Sequence, residues 1–185
     1  HHAEPARPMG FCFFSNAVVA ARHAQAAHGV ERVAIVDFDV HHGNGSQACV
    51  ERDASILYAS SHQHPLYPGT GDAMERGVGN VFNLPLPPGA DGAAFREAWE
   101  AVLLPAVDRF APGLVVVSAG FDAHARDPLA QLRVREADFA WLTEALCALA
   151  ETHCRGRVVS LLEGGYDREA LAASTAAHVR ALMRS

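Results

Sequence analysis

The feature that most constrains the fold is a strand-like segment that runs directly into a cluster of polar residues, from Val33 to Gly45. Its first half is a continuous run of mostly β-branched apolar residues, which is typical of a strand buried in a parallel sheet. Its second half carries Asp37, Asp39 and His41 at alternate positions. Because successive side chains of an extended chain point to opposite faces, these three are predicted to share one face.

This row of side chains predicts a metal site. Buried carboxylates and imidazoles are costly unless they are paired or coordinate a metal ion. Asp oxygens and neutral His nitrogens are both good ligands for zinc. The alternative is a polar strand end without a bound ion, since Asp and His are common in the loops that follow strands.

Composition limits the class of protein. The chain has 185 residues, of which 50% are hydrophobic and 19% charged, so it can bury the core of one domain and is not disordered. Its net charge of −6 and the lack of a basic run argue against a nucleic-acid partner. No apolar stretch is long enough to span a membrane and no signal peptide is recognisable, so no membrane partner is expected.

The cysteines indicate a reducing compartment. They show neither CxxC spacing nor the density of a disulfide framework, so free thiols are predicted. The four positions are Cys12, Cys49, Cys147 and Cys154. Together with the alanine-rich composition, they favour a bacterial cytoplasm.

The rest of the chain alternates between predicted helices and strands. The first helix starts from a cap at Ser15 or Asn16 and ends at Gly29, and further helices are predicted at about 46–51, 95–110, 139–155 and 167–184, with an interruption at Pro105. After the strand at Val33, strands are predicted at 56–61, 81–85, 114–118 and 158–162. Such alternation predicts a parallel sheet with helices on both faces.

Three of the apolar strands end in small-residue loops that carry polar side chains. Asp39 and His41 follow the first strand, Asp122 a later one and Tyr166 the last. If these strands are neighbours, the side chains converge on one pocket, because ligands bind beyond the carboxyl ends of such strands. Taken singly, Asp122 could cap a helix and Tyr166 could be a half-buried packing residue.

Several segments resemble the zinc-dependent histone deacetylases and their bacterial relatives, within the arginase/deacetylase superfamily. They occur in the order of that family and span almost the whole chain: His1-His2, Gly10-Phe11-Cys12, Asp37 to Gly45, Tyr67 to Gly71, Ser118 to Ala123, and Leu162 to Tyr166. Alone, the first pair would read as the end of a purification tag, but its distance from the second segment fits the family.

The resemblance implies an α/β fold, an arginase/deacetylase-like three-layer αβα domain with a central parallel sheet. Residues 1–185 would form a single domain that is the C-terminal portion of a deacetylase catalytic domain. Family domains usually carry a substantial segment before the His pair, so N-terminal strands are expected to be missing.

The resemblance also implies a role for individual residues. Zinc would be held by Asp39, His41 and Asp122. The proton-transfer and oxyanion groups would be His1 and His2, oriented by Asp37 and Asn44 respectively, together with the hydroxyl of Tyr166. The substrate would contact Gly10, Phe11, Tyr67 and Gly164, with the two aromatic rings flanking its alkyl chain. A structural K⁺ site would use Asp37, Asp39, His41, Ser60 and Ser61.

Two positions point to a subgroup. Asn44 stands where many family members have Asp, which is similar to class II and bacterial members. A neutral partner raises the pKa of His2 less than a carboxylate does, so His2 is readier to act as a base. Tyr166 is present, whereas a weakly active subgroup has His there, and its presence favours deacetylase activity.

The implied function is a zinc-dependent amidohydrolase that removes acetyl groups. Its substrate would be an acetyl-lysine peptide, an acetylated polyamine or another small acylated amine. One alternative is a binuclear, arginase-like ureohydrolase, against which Asn44 and Tyr166 speak. The other is a non-catalytic binding fragment of a deacetylase domain.

The position of His1 at the start of the chain leads to a separate expectation. A terminal residue frays unless it is held in place, and missing strands leave a sheet edge uncovered. The chain starting at His1 is therefore expected to be poorly active and to associate into homo-oligomers.

Overall fold

The predicted strands form one parallel sheet in the computed structural model, which describes residues 1–184 and so leaves out only Ser185 of the predicted domain. The strands are β1 (Val33–Asp37), β2 (Ile56–Gln63), β3 (Val81–Leu86), β4 (Leu114–Ala119) and β5 (Val158–Leu162). Their order across the sheet is β3-β2-β1-β4-β5, and every neighbouring pair is parallel. β1, β4 and β5 are therefore neighbours.

Helices cover both faces of the sheet. They are α1 (Asn16–His28), α2 (Asn44–Val50), α3 (Gly92–Ala98), α4 (Leu104–Phe110), α5 (Glu136–Cys154) and α6 (Arg168–Leu182). Residues of α1 and α2 pack on one face, while residues of α3, α4, α5 and α6 pack on the other. The three-layer αβα architecture predicted from the sequence is confirmed.

The alternation of side chains continues beyond the hydrogen-bonded end of β1. Phe38 and Val40 pack in the same apolar cluster as Ala34 and Val36 of the strand, on the face of α5. Residues at the odd positions therefore point the other way. Asp37 and Asp39 therefore point away from the larger core, as the alternating pattern predicts.

One proline departs from the prediction and a second agrees with it. Pro85 lies inside β3 rather than ending it, because β3 is an edge strand and tolerates a residue without an N–H group. The predicted helix 95–110 is broken by a π-helical turn, Trp99–Leu103, just before Pro105. A proline inside a helix removes one hydrogen bond and crowds the preceding turn, which the wider π turn accommodates.

Of the two expectations, a frayed first residue and an uncovered sheet edge, the structure contradicts the first. His1 is only 3% exposed and is packed rather than frayed. β5 is an edge strand, and it carries Val159 and Leu162 with 41% and 62% of their surface exposed. Association through this edge stays a prediction.

Within residues 1–184, no helix combines the length and the hydropathy needed to cross a bilayer. All four cysteines are free thiols, as predicted.

His178 on α6 is a buried imidazole that ties three elements together. Thr143 donates to the carbonyl of Phe139, so its hydroxyl accepts from Nδ1 of His178 at 2.7 Å. Nε2 of the same ring then accepts from Ser160 at 2.8 Å. Burial lowers the pKa of His178 to about 4. The folded protein therefore holds this ring neutral.

This neutral ring predicts a loss of stability in acid. An unfolded histidine titrates near 6.5, so the stabilisation is complete above that pH and is lost as the pH falls towards 4. With about 1.4 kcal/mol for each pKa unit, the lowering from 6.5 to about 4 makes the contribution of His178 on the order of 3 kcal/mol. Urea unfolding between pH 7 and 4 should show a smaller pH slope for His178→Gln than for the parent. His23→Gln, on the exposed surface of α1, is the matched control, and an equal slope in all three proteins would contradict the assignment.

Candidate active site

The candidate site lies at the carboxyl ends of three neighbouring strands. Asp39 and His41 follow β1, Asp122 follows β4, and Tyr166 follows β5. Because these strands are adjacent, the four side chains meet in one region, where open α/β sheets bind their ligands.

Asp39, His41 and Asp122 form a compact group of ligand atoms. One such atom from each residue lies within 4.8 Å of the other two. Nδ1 of His41 is 3.0 Å from Oδ2 of Asp122 and 3.1 Å from Oδ1 of Asp39. All three side chains are buried, and Asp122 is completely so.

The charges in this group favour a bound cation. Burial and the charge of Asp39 raise the pKa of Asp122 to about 7. Burial opposes protonation of His41, but the hydrogen bonds that its ring donates to Asp122 and Asp39 raise its pKa to about 10. Two buried carboxylates thus compete for one imidazole. A divalent cation that binds carboxylate oxygen and imidazole nitrogen fits this donor set, and zinc has those preferences.

Backbone groups fix the remaining carboxylate oxygens. The N–H of Gly164 donates to Oδ2 of Asp39, and the N–H of Val40 donates to Oδ1 of Asp122, both at 2.8 Å. A Cβ atom at position 164 would overlap the carboxylate of Asp122. Glycine at this position therefore allows the loop after β5 to approach the carboxylates.

His1 and His2 lie beside the group with different partners. Nδ1 of His1 is 2.8 Å from Oδ2 of Asp37, while Nδ1 of His2 is 2.9 Å from Oδ1 of Asn44. The ring centroids of the two histidines are 4.2 Å apart. Both contacts implied by the resemblance are present.

The surroundings of the two imidazoles give them opposite charge states. Burial acts against protonation of His1, but the carboxylates of Asp37 and Asp39 raise its pKa well above the usual value. Burial and the charge of His1 lower the pKa of His2 to about 4. His2 is therefore neutral near pH 7. An amide oxygen can only accept, so His2 donates from Nδ1 to Asn44 and keeps Nε2 free as a proton acceptor.

Tyr166 presents a free phenol to the same region. Within residues 1–184 its hydroxyl has no hydrogen-bond partner. Burial and the carboxylates of Asp122 and Asp39 raise its pKa above the usual value, so the group keeps its proton. It can donate a hydrogen bond to an oxygen that develops negative charge.

A slot leads to these groups. It has a volume of about 490 Å³ and is lined by His2, Gly10, Phe11, His41, Leu66, Tyr67, Leu129 and Tyr166. Phe11 is 90% exposed at the rim, and the ring of Tyr67 lies 5.2 Å from that of His2. A Cβ atom at Gly10 would overlap the ring of His2, so glycine is required there. Three of the predicted substrate residues thus line the slot, and Gly164 lines the adjoining cavity beside His1.

The residues of the predicted K⁺ site are buried next to the ligand group. Asp37 is paired in register with Ser60 on the neighbouring strand. The hydroxyl of Ser60 contacts His62, and that of Ser61 accepts from Trp99 at 3.0 Å. The K⁺ site stays a prediction.

Two residues at the site were not assigned roles from the sequence. The Tyr58 hydroxyl donates to Asp37 at 2.9 Å, which fixes the partner of His1. Glu163 is a carboxylate whose side chain is 9% exposed; it accepts from Ser118, and burial raises its pKa to about 7. Glu163 directly follows β5, so the rule that found Tyr166 could have found it too.

The comparison with known families settles the relationship. Residues 1–182 match the histone deacetylase domain. The chain belongs to the histone deacetylase domain family. The resemblance carried by the His pair, the ligand segments and the final Gly-Gly-Tyr is confirmed at the level of the family.

Individual relatives of this histone deacetylase domain come from distant organisms. It is 46% identical to histone deacetylase 14, chloroplastic, of Arabidopsis thaliana over 187 residues, covering 99% of this chain and 44% of that protein. It is 47% identical to a histone deacetylase-like amidohydrolase of Pseudomonas aeruginosa, covering 90% and 45%. It is 42% identical to the polyamine deacetylase HDAC10 of Homo sapiens, covering 99% and 28%. The chain thus spans less than half of each of these relatives.

A solved structure agrees in fold. The crystal structure of the HDA15 HD domain superposes with a TM-score of 0.94 at 41% identity, covering all of this chain and 52% of that one. The arrangement of sheet and helices is therefore that of a histone deacetylase domain.

The contrast between His1 and His2 predicts the effect of Asn44→Asp. A carboxylate beside the Nδ1–H of His2 stabilises its charged form, so the pKa of His2 should rise by roughly 1 to 3 units from its lowered value. NMR titration of the His2 ring measures this shift. Ala27→Asp, which adds the same charge on the exposed face of α1, should leave the ring unchanged. An unshifted His2 in Asn44→Asp would show that the side chain at 44 does not control its charge.

Proposed function

We propose that this histone deacetylase domain hydrolyses acetyl amides with the help of zinc held by Asp39, His41 and Asp122. The substrate is an acetyl-lysine peptide or a small acetylated amine such as an acetylated polyamine. The observation that carries the proposal is the meeting of a buried ligand group, a neutral His2 and an unpaired Tyr166 phenol at the base of one slot.

The donor set supports zinc as the metal. Two carboxylates and one imidazole match the oxygen and nitrogen ligands of catalytic zinc sites, which use three protein ligands. When bound, zinc would polarise the acyl carbonyl and lower the pKa of a water molecule.

The protein's own residues supply the proton transfers. His2 is neutral and carries no proton at Nε2, so it accepts a proton from the attacking water as a general base. His1, held by Asp37 and charged, balances the buried carboxylates and stands next to His2 for the proton that the leaving amine needs. The hydroxyl of Tyr166 donates a hydrogen bond to the oxygen of the tetrahedral intermediate.

The shape of the slot supports an extended alkyl substrate. Phe11 and Tyr67 present ring surfaces at its mouth, and Leu66 and Leu129 add aliphatic surface. None of the residues that line this slot is acidic, so its walls bind the alkyl part of a lysine side chain through apolar contacts.

The alternatives differ in metal content and activity. Among residues 1–184, the structure brings together one three-ligand group, whereas an arginase-like reaction needs ligands for two ions. A non-catalytic binding fragment would bind acetylated ligands without turnover. A structural K⁺ ion is also part of the proposal, supported by the burial of the five residues that would hold it: Asp37, Asp39, His41, Ser60 and Ser61. The free thiols support a reducing compartment such as the cytoplasm.

Asp122→Ala tests the metal assignment. Removing one of three ligands should abolish both stoichiometric zinc, measured by elemental analysis, and hydrolysis of a fluorogenic acetyl-lysine peptide. Asp108→Ala, an exposed carboxylate on α4, should keep both. Full zinc content in Asp122→Ala would refute the role of Asp122, and a zinc-loaded parent that binds but does not cleave the peptide would favour the non-catalytic alternative.

Tyr166→Phe tests the oxyanion donor. The ring stays in place and zinc content should be unchanged, while the loss of one preorganised donor costs about 3 kcal/mol, on the order of a hundredfold in kcat. Steady-state kinetics on the same peptide give the value. A kcat equal to that of the parent would mean that Tyr166 only packs.

A further inference from the structure

Asp127, in the loop after β4, joins two parts of the site that are far apart in sequence. Its Oδ2 accepts from the N–H of Tyr166, and its Oδ1 accepts from the N–H of Leu129, both at 2.9 Å. The residue is 9% exposed. One buried carboxylate thus holds the main chain of the phenol and the main chain of a residue at the rim of the slot.

We propose that Asp127 is a positioning residue that sets Tyr166 for the oxyanion and couples it to Leu129 at the slot rim. The inference rests on the proposed deacetylase function. Asp127 itself does not contact the substrate. It positions the residues that do.

The surroundings of Tyr166 explain why such control is needed. Tyr166 lies between β5 and α6, outside both, and its side chain is 41% exposed. The preceding Gly165 has φ of +144°, a conformation that side chains rarely adopt. On one side the loop is fixed by the bond from Gly164 to Asp39, and on the other by Asp167, which caps α6. The hydrogen bond from the N–H of Tyr166 to Asp127 holds the main chain at the tyrosine itself.

A local turn accounts for only half of this arrangement. The bond from Leu129 to Asp127 is an Asx turn, which commonly orders a loop. The bond from Tyr166 spans 39 positions of sequence and is not needed for that turn. The neighbouring Arg126 also reaches this segment, through Asp167 and Glu169, but its side chain is half exposed. Exposed ion pairs contribute little, which makes Arg126 a matched control.

Asp127→Asn is the test, because it keeps the shape and removes one acceptor. A misplacement of about 1 Å can cost on the order of a hundredfold, so kcat on an acetyl-lysine peptide should fall by about tenfold or more, with KM and zinc content nearly unchanged. The loss should be several times smaller on a trifluoroacetyl-lysine peptide, whose more electrophilic carbonyl depends less on a hydrogen-bond donor. Combining Asp127→Asn with Tyr166→Phe should add little to the loss from Tyr166→Phe alone. Arg126→Gln should match the parent on both peptides.

Other outcomes overturn the inference. Equal losses on both peptides, or fully additive losses in the double variant, would mean that Asp127 only stabilises the loop. Amide hydrogen exchange adds a measurement that does not depend on catalysis: exchange at the N–H of Tyr166 should be faster in Asp127→Asn than in Arg126→Gln. If the parent is inactive, the proposed function fails, and unchanged exchange at Tyr166 would separately refute the role of Asp127.

Discussion

The structure depends on a surplus of negative charge buried where the strands end. Asp37, Asp39 and Asp122 are at most 1% exposed, and their oxygens accept from backbone N–H groups of their own and neighbouring loops and from nearby side chains. Such bonds stabilise ionised carboxylates, but they do not neutralise them. The remaining charge favours a bound cation and protonated histidine. The close approach of the loop after β5 to these oxygens requires glycine, because a Cβ atom at position 164 would overlap Asp122.

This charge also separates the two histidines in function. His1 is close to the carboxylates and stays protonated, whereas His2 is paired with a neutral amide and feels the charge of its neighbour. Two chemically identical rings with centroids 4.2 Å apart therefore differ in charge near neutral pH. One can accept a proton while the other already carries one, because Asp37 and Asp39 stabilise the charge of His1 whereas burial and that charge keep His2 neutral.

The apolar layers hold this arrangement in place. The sheet buries one face under α1 and α2 and the other under α3, α4, α5 and α6, so the strand ends are fixed by packing on both sides. His178 adds a polar tie between α5, α6 and β5, close to the start of the loop that carries Tyr166. The position of the phenol then depends on a rigid sheet and on a loop held by Asp39 and Asp127.

The sequence by itself determined the local structure and the chemistry of the site. The β-branched runs at Val33, Leu114 and Val158 predicted buried strands, and the polar residues after them predicted a pocket, because alternation and composition are local properties of the chain. Burial is confirmed for β1 and β4 but is wrong for β5, which lies at the edge of the sheet and is partly exposed. Family-like segments then implied the ligand group. Only the tertiary structure decided the order of the strands, the inclusion of Pro85 in β3, the π turn before Pro105, and the contacts of Glu163. It also decided the bond between Asp127 and Tyr166. These features depend on neighbours distant in sequence, and no periodic pattern along the chain encodes which distant groups will meet.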